Sequence, residues 1–158
     1  YKRQLLRHHL RAKRVERWLR GVYRLVHFPQ MSTREDLIIY WLWSERHGVF
    51  SHETALSIHE LSDALPARVH MTIPAAWAHR RLQVPAVVAL SYGAVRADEC
   101  VTMDGVPVTS AARTVNHCAS AGVAPDLVQQ AISEGLARKL FSAMDIERAH
   151  TYLRAYAA

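Results

Sequence analysis

The sequence predicts an α+β protein in two parts, and three observations predict it. Residues 1–27 hold nine Lys or Arg against one acid, Glu16, a balance of +8, whereas residues 28–158 hold eleven against thirteen, a balance of −2. Within the first part the apolar period changes from helical to alternating. In the second it is helical, then strand-like from Arg68 to Thr109, then helical to the end.

Composition sets the outer limits. The chain has 158 residues, half of them hydrophobic, enough to bury a core without a metal or disulfide. Its longest apolar run, Leu37 to Trp43, is far shorter than the roughly 20 residues that span a bilayer. Cys100 and Cys118 form no CxxC, and no signal-peptide pattern is present, so a cytoplasmic protein without a membrane partner is expected. The chain starts at Tyr1, already inside a basic helix-like stretch, and reads as a fragment lacking upstream residues.

Lys2 to Ala12 is predicted as a helix with Leu5, Leu6 and Leu10 on one face and Arg3, Arg7, His8 and Arg11 around the other. Val15 to Arg20 then alternates, Gly21 interrupts, and Val22 to Val26 alternates again, which predicts a hairpin with Arg20-Gly21 at its tip. A basic helix followed directly by a basic hairpin is the second half of a winged helix-turn-helix, recognition helix plus wing. Such a module binds duplex DNA, since each neutralised phosphate releases counterions. The residues expected at the DNA are Lys2, Arg3, Gln4, Arg7, His8, Lys13, Arg14 and Arg20.

Phe28, Pro29 and Gln30 mark the expected boundary, giving domains 1–28 and 29–158. Thr33 with Asp36 predicts a capped helix from Arg34 to Arg46, apolar nearly all round and therefore a core helix. Ser51 is expected to cap a second helix through about Leu61. Val69, Met71 and Ile73 alternate with His70 and Thr72 as a half-buried strand. Val84 to Leu90 is an apolar run expected as a central strand. Asp104-Gly105, between Cys100-Val-Thr-Met and Val106-Pro-Val, predicts a type I′ hairpin. Three helices follow: Thr109 to Ala121, one opened by Pro125, and one capped by Ser142 with Asp145.

Catalytic and metal patterns are sparse. His8-His9 point to different helix faces, and His52 and His59 lie two turns apart, so no metal site or cofactor is expected. A metal-dependent nuclease would place a Pro-Asp ahead of an acidic-x-Lys strand. Here Pro125-Asp126 is followed by Glu134 at the wrong spacing and on a predicted helix. One polar set has no packing explanation: Ser51, His52, Thr54, His70, Thr72, Arg80, Arg81, Arg113 and Thr114, all near element ends, where sites concentrate.

Taken in order, these stretches resemble the AbiEi family, the antitoxins of bacterial type IV toxin–antitoxin systems. The matching segments are Arg20-Gly-Val-Tyr-Arg-Leu-Val-His-Phe-Pro29, Gly48-Val-Phe-Ser-His-Glu-Thr-Ala-Leu56, Leu61-Ser-Asp-Ala-Leu-Pro66, His70-Met-Thr-Ile-Pro74, Asp104-Gly-Val-Pro-Val-Thr109 and Ala112-Arg-Thr114. The resemblance implies a winged helix that represses its own promoter at inverted repeats, followed by an α+β antitoxin domain. It further implies that this domain counters a nucleotidyltransferase-like toxin without a stable complex. The family usually shows Asp three residues after the position of Thr114, where this chain has His117. The expectation is a regulator and not an enzyme. The alternatives are a winged-helix protein with a remnant metal-dependent nuclease domain, or a regulator without a toxin.

Overall fold

A computed structural model describes residues 2–29 and 34–157. It is mixed α+β with two sheets, and its contacts divide the chain into a unit ending at His47 and a unit beginning at Gly48. Among the described residues, no helix is long and apolar enough to cross a membrane.

The first unit contains α1 (Lys2–Arg11), β1 (Val15–Leu19), β2 (Val22–Leu25) and α2 (Glu35–Trp43). β1 and β2 pair antiparallel, Val15 opposite Leu25 and Leu19 opposite Val22, with an irregularity between Arg17 and Leu19. Gly21 takes a φ of +81° at the tip, a conformation glycine adopts without steric cost. Arg24 on β2 reaches α2, donating from Nε to Glu35 Oε1 at 2.8 Å and from Nη2 to Oε2 at 3.3 Å. Its Nη1 lies 3.7 Å from Glu16 Oε1, and its guanidinium sits 5.2 Å from the Trp18 ring.

That grip moves the boundary. The sequence places it after residue 28, but α2 packs on β1 and β2, so the division falls after His47. The expected core helix is corrected too: only Leu37 of α2 is buried, and Leu42 is exposed. An all-apolar helix is buried all round only if neighbours cover every side, and here a two-stranded hairpin is what it packs on. Thr33, the expected cap, lies outside the described residues.

The second unit is built on five strands: β3 (Val49–Phe50), β4 (Val69–Ile73), β5 (Val88–Tyr92), β6 (Cys100–Met103) and β7 (Val106–Thr109). Their order across the sheet is β5-β4-β3-β7-β6. β3 runs parallel to β7 and antiparallel to β4, β4 is parallel to β5, and β6 and β7 form the hairpin. Asp104 and Gly105 take φ of +49° and +81°, the left-handed pair that a type I′ turn requires. The run from Val84 forms an edge strand, not the expected central one, and it starts only at Val88, after a turn in which Val88 N donates to Pro85 O at 2.9 Å. Thr72 breaks the expected alternation of β4 by being buried.

Four helices complete the unit: α3 (His52–Ile58), α4 (Ala111–Ser120), α5 (Pro125–Ala137) and α6 (Glu147–Tyr156). α4 packs against α3, α5 and α6, and its Ala111, Val115, Cys118 and Ala119 enter a core with Leu56, Leu61, Val128, Ala131, Ile132 and Ile146. Ser142 and Asp145 form the expected capping box, which opens a single 3₁₀ turn, Ala143–Ile146, that leads into α6. Gly135 of α5 faces Phe141, whose ring occupies the space a Cβ would need.

Candidate functional site

In the first unit, Lys2, Arg3, Gln4, Arg7, His8, Lys13, Arg14 and Arg20 are all exposed, and α1 buries none of its described residues. Arg24, one of the nine basic residues, is the exception. Glu35 and Glu16 bond its guanidinium, and the Glu35 hydrogen bond raises its pKa, so its charge is compensated within the unit.

In the second unit, topology gathers a histidine cluster. β3 and β7 are parallel neighbours, and α3 and α4 begin directly beyond their carboxyl ends, at Ser51-His52 and at Ser110-Ala111. The carboxyl edge of such neighbours is where open sheets present side chains to ligands. β4 runs alongside, and Ser51 N donates to His70 O at 3.1 Å.

His52, the first residue of α3, takes a φ of +53°. That conformation costs a non-glycine residue about 1–2 kcal/mol, and other contacts hold it. Thr72 Oγ1 donates to Ser51 Oγ at 2.8 Å, and Ser51 Oγ lies 2.9 Å from His52 Nδ1. Ser51 Oγ has one proton and two lone pairs, so it accepts from Thr72 and at the same time bonds Nδ1 of His52 in a relay whose direction follows the tautomer of His52. The sequence expects Ser51 to cap α3, but its side chain makes no capping bond because this relay uses it.

The His52 ring stacks on His117, centroids 5.0 Å apart and planes at 16°, and lies 6.0 Å from the His70 ring. His70 Nε2 is 3.2 Å from Glu53 Oε2. Arg113 Nη1 donates to Glu99 Oε1 at 3.0 Å. Burial, with His70 and Arg113 adding to it, lowers the pKa of His52. Burial, then Arg113 and His52, lowers that of His117 to about 4. Both rings are therefore neutral at pH 7. Among the described residues, no three His, Cys, Asp or Glu side chains converge to hold a metal ion.

Ser51, His52, His70, Thr72 and Arg113 of the expected polar set thus come together. Thr54 lies beside them as a tie between elements, accepting from His70 N at 2.8 Å and donating to Arg68 O at 3.4 Å. Thr114 is fully buried and donates to Thr109 O at 3.1 Å, its hydroxyl 2.7 Å from that of Thr109; it holds the start of α4. Arg80 and Arg81 are exposed beyond a 3₁₀ turn, Arg80 stacked 4.1 Å over Trp77. No hydrogen bond, ion pair or ring contact joins either to the cluster among the described residues. His59, two turns from His52 in the sequence, bonds Thr109 O at 2.7 Å in the interior.

Three participants escaped the sequence reading: Glu53, Glu99 and His117. In the sequence His117 stands out only as a departure from the family pattern, although its spacing of four from Arg113 puts both on one face of α4. Asp126 and Glu134, the acids of the nuclease alternative, lie on the single helix α5. No protein-family model and no curated protein matches the sequence.

Proposed function

We propose that this chain is a DNA-binding regulator of the antitoxin type, acting in the cytoplasm. In this reading α1 is the recognition helix and the β1–β2 hairpin the wing of a winged helix-turn-helix. The unit represses its own promoter at inverted repeats. The second unit counters a nucleotidyltransferase-like toxin without a stable complex, and its histidine cluster is the part of the surface used.

The observation that carries the reading is in the first unit. Eight polar and basic side chains of α1, the turn that follows it and the hairpin tip are exposed, while Glu16 and Glu35 both bond Arg24. An array of this kind suits a polyanion, with arginine and lysine contacting phosphates and the helix reading base edges. The ordered resemblance to the AbiEi family supports the assignment of the second unit.

Two assays in one strain test it: repression of the chain's own promoter and growth rescue against the toxin encoded beside it. Arg7→Ala should lose repression and keep rescue. His52→Ala with His70→Ala should lose rescue and keep repression. Loss of both activities in each variant, with folding intact by circular dichroism, contradicts a division of labour.

A further inference from the structure

We propose that the hollow bounded by Arg113, His117 and Arg148 is a binding site for a phosphate group, free or carried on a small ester. This inference does not depend on the regulator reading. It starts from a cavity of about 360 Å³ in the second unit, lined by these three residues and by Asp98, Glu99, Ser110, Asn116 and Asp145.

The acids that line it already have partners. Asp98 takes two hydrogen bonds from Arg96, at 3.0 and 2.8 Å. Glu99 accepts from Arg113 at 3.0 Å and from the Arg96 backbone at 3.2 Å. Asp145 Oδ2 accepts from Ser142 N and Oγ, each at 2.7 Å, which lowers its pKa. Asn116 is occupied by Asp145 O and Ala149 N.

The cationic side is not satisfied in the same way. Arg113 uses only Nη1 for Glu99, and its Nε is buried without a partner. His117 Nδ1 is likewise buried without a partner. Arg148, at the start of α6, is exposed and makes no hydrogen bond or ion pair among the described residues. Two guanidiniums beside an imidazole offer planar forks of N–H donors, the geometry that phosphate oxygens accept. The hollow also opens at the carboxyl end of β7, beside that of its parallel neighbour β3.

A bound phosphate has a consequence for the rings. His117 is surrounded by Arg113 on its own helix, His52 of α3, Glu99 before β6 and Arg148 of α6; all but Glu99 disfavour its protonation. Behind it, His52 faces His70 of β4, which is paired with Glu53. A phosphate anion beside Arg113 and Arg148 opposes the cations that lower the His117 pKa, so the titration midpoint of His117 rises when the hollow is filled.

The test is histidine NMR on the full chain with inorganic phosphate and, separately, a nucleoside monophosphate. The titration midpoint of His117 should rise by about one pH unit when either is bound. Arg148→Ala, which removes an exposed side chain without partners, should weaken binding about tenfold. Arg7→Ala in the first unit should leave the His117 response unchanged, which separates this site from phosphate held by the basic segment. Equal affinity for both probes assigns the site to the phosphate group alone; tighter binding of the nucleotide assigns it to an ester. A His117 resonance unmoved by both probes at up to about 50 mM, far above a millimolar Kd, overturns the proposal. So does a response identical in Arg148→Ala.

Discussion

The imidazoles of His52 and His117 stack 5.0 Å apart, joining the first residue of α3 to the middle of α4. Both have pKa values below the ordinary 6.5 of a free histidine, chiefly from burial, and that of His117 is about 4. In the unfolded chain both titrate near 6.5. Between that pH and about 4 the unfolded state binds more protons than the folded one, so stability is intact above pH 6.5 and declines as pH falls through the window. Urea midpoints followed by the methyl NMR signals of Val115 and Ile132 should decrease from pH 7.5 to pH 5. His117→Phe, which keeps a flat ring and removes the titration, should flatten the dependence; an unchanged slope would assign it elsewhere.

Thr114 looks like a site residue in the sequence and is an anchor in the structure. Its hydroxyl bonds Thr109 where both are buried. Thr114→Val keeps the shape and leaves the Thr109 hydroxyl without its side-chain partner, at a cost of about 1–3 kcal/mol. Thermal or urea unfolding should show that loss, while the phosphate response of His117 stays as in the parent.

Gly135 is required by the Phe141 ring lying where its Cβ would be. Gly135→Ala gains helix propensity of roughly 1 kcal/mol, but the overlap displaces a ring packed on the core and costs about 1–3 kcal/mol. The variant should therefore be neutral to destabilised, and adding Phe141→Leu should recover stability. A more stable single variant would show that the ring moves aside freely.

What the sequence made legible was local. Asp104-Gly105 and Pro125 fix a turn and a helix start through local backbone geometry, each where it was expected, whereas the Ser142–Asp145 box forms but opens a 3₁₀ turn ahead of α6 rather than α6 itself. Sheet order was not legible: the Val84–Leu90 run reports apolarity, which an edge strand covered on one side can share with a central one. The apolar α2 was misplaced for a related reason, since composition does not reveal that its partner is the Arg24 hairpin. In the site, Ser51, His52, His70 and Arg113 stood out as polar residues at element ends. His117 did not, because its meaning comes from α3 and α4 bringing it onto His52, a contact between distant positions.

Arg24 and Arg7 have the same charge and should behave differently. Arg24 is bonded to Glu35 and Glu16, whereas Arg7 is exposed on α1. Arg24→Ala should speed amide exchange in α2 and leave the salt dependence of DNA binding unchanged. An altered salt slope in Arg24→Ala would place that side chain on DNA instead.

The central claim is that the basic segment binds duplex DNA through its exposed Lys and Arg side chains. It is tested most directly by fluorescence anisotropy of the chain's own promoter duplex titrated with the protein across a series of salt concentrations. Log affinity should fall linearly with log salt, by about 0.9 for each phosphate contacted, and Arg7→Ala should reduce that slope by roughly one contact. Binding independent of salt, or no binding to the promoter at low salt, would contradict the account.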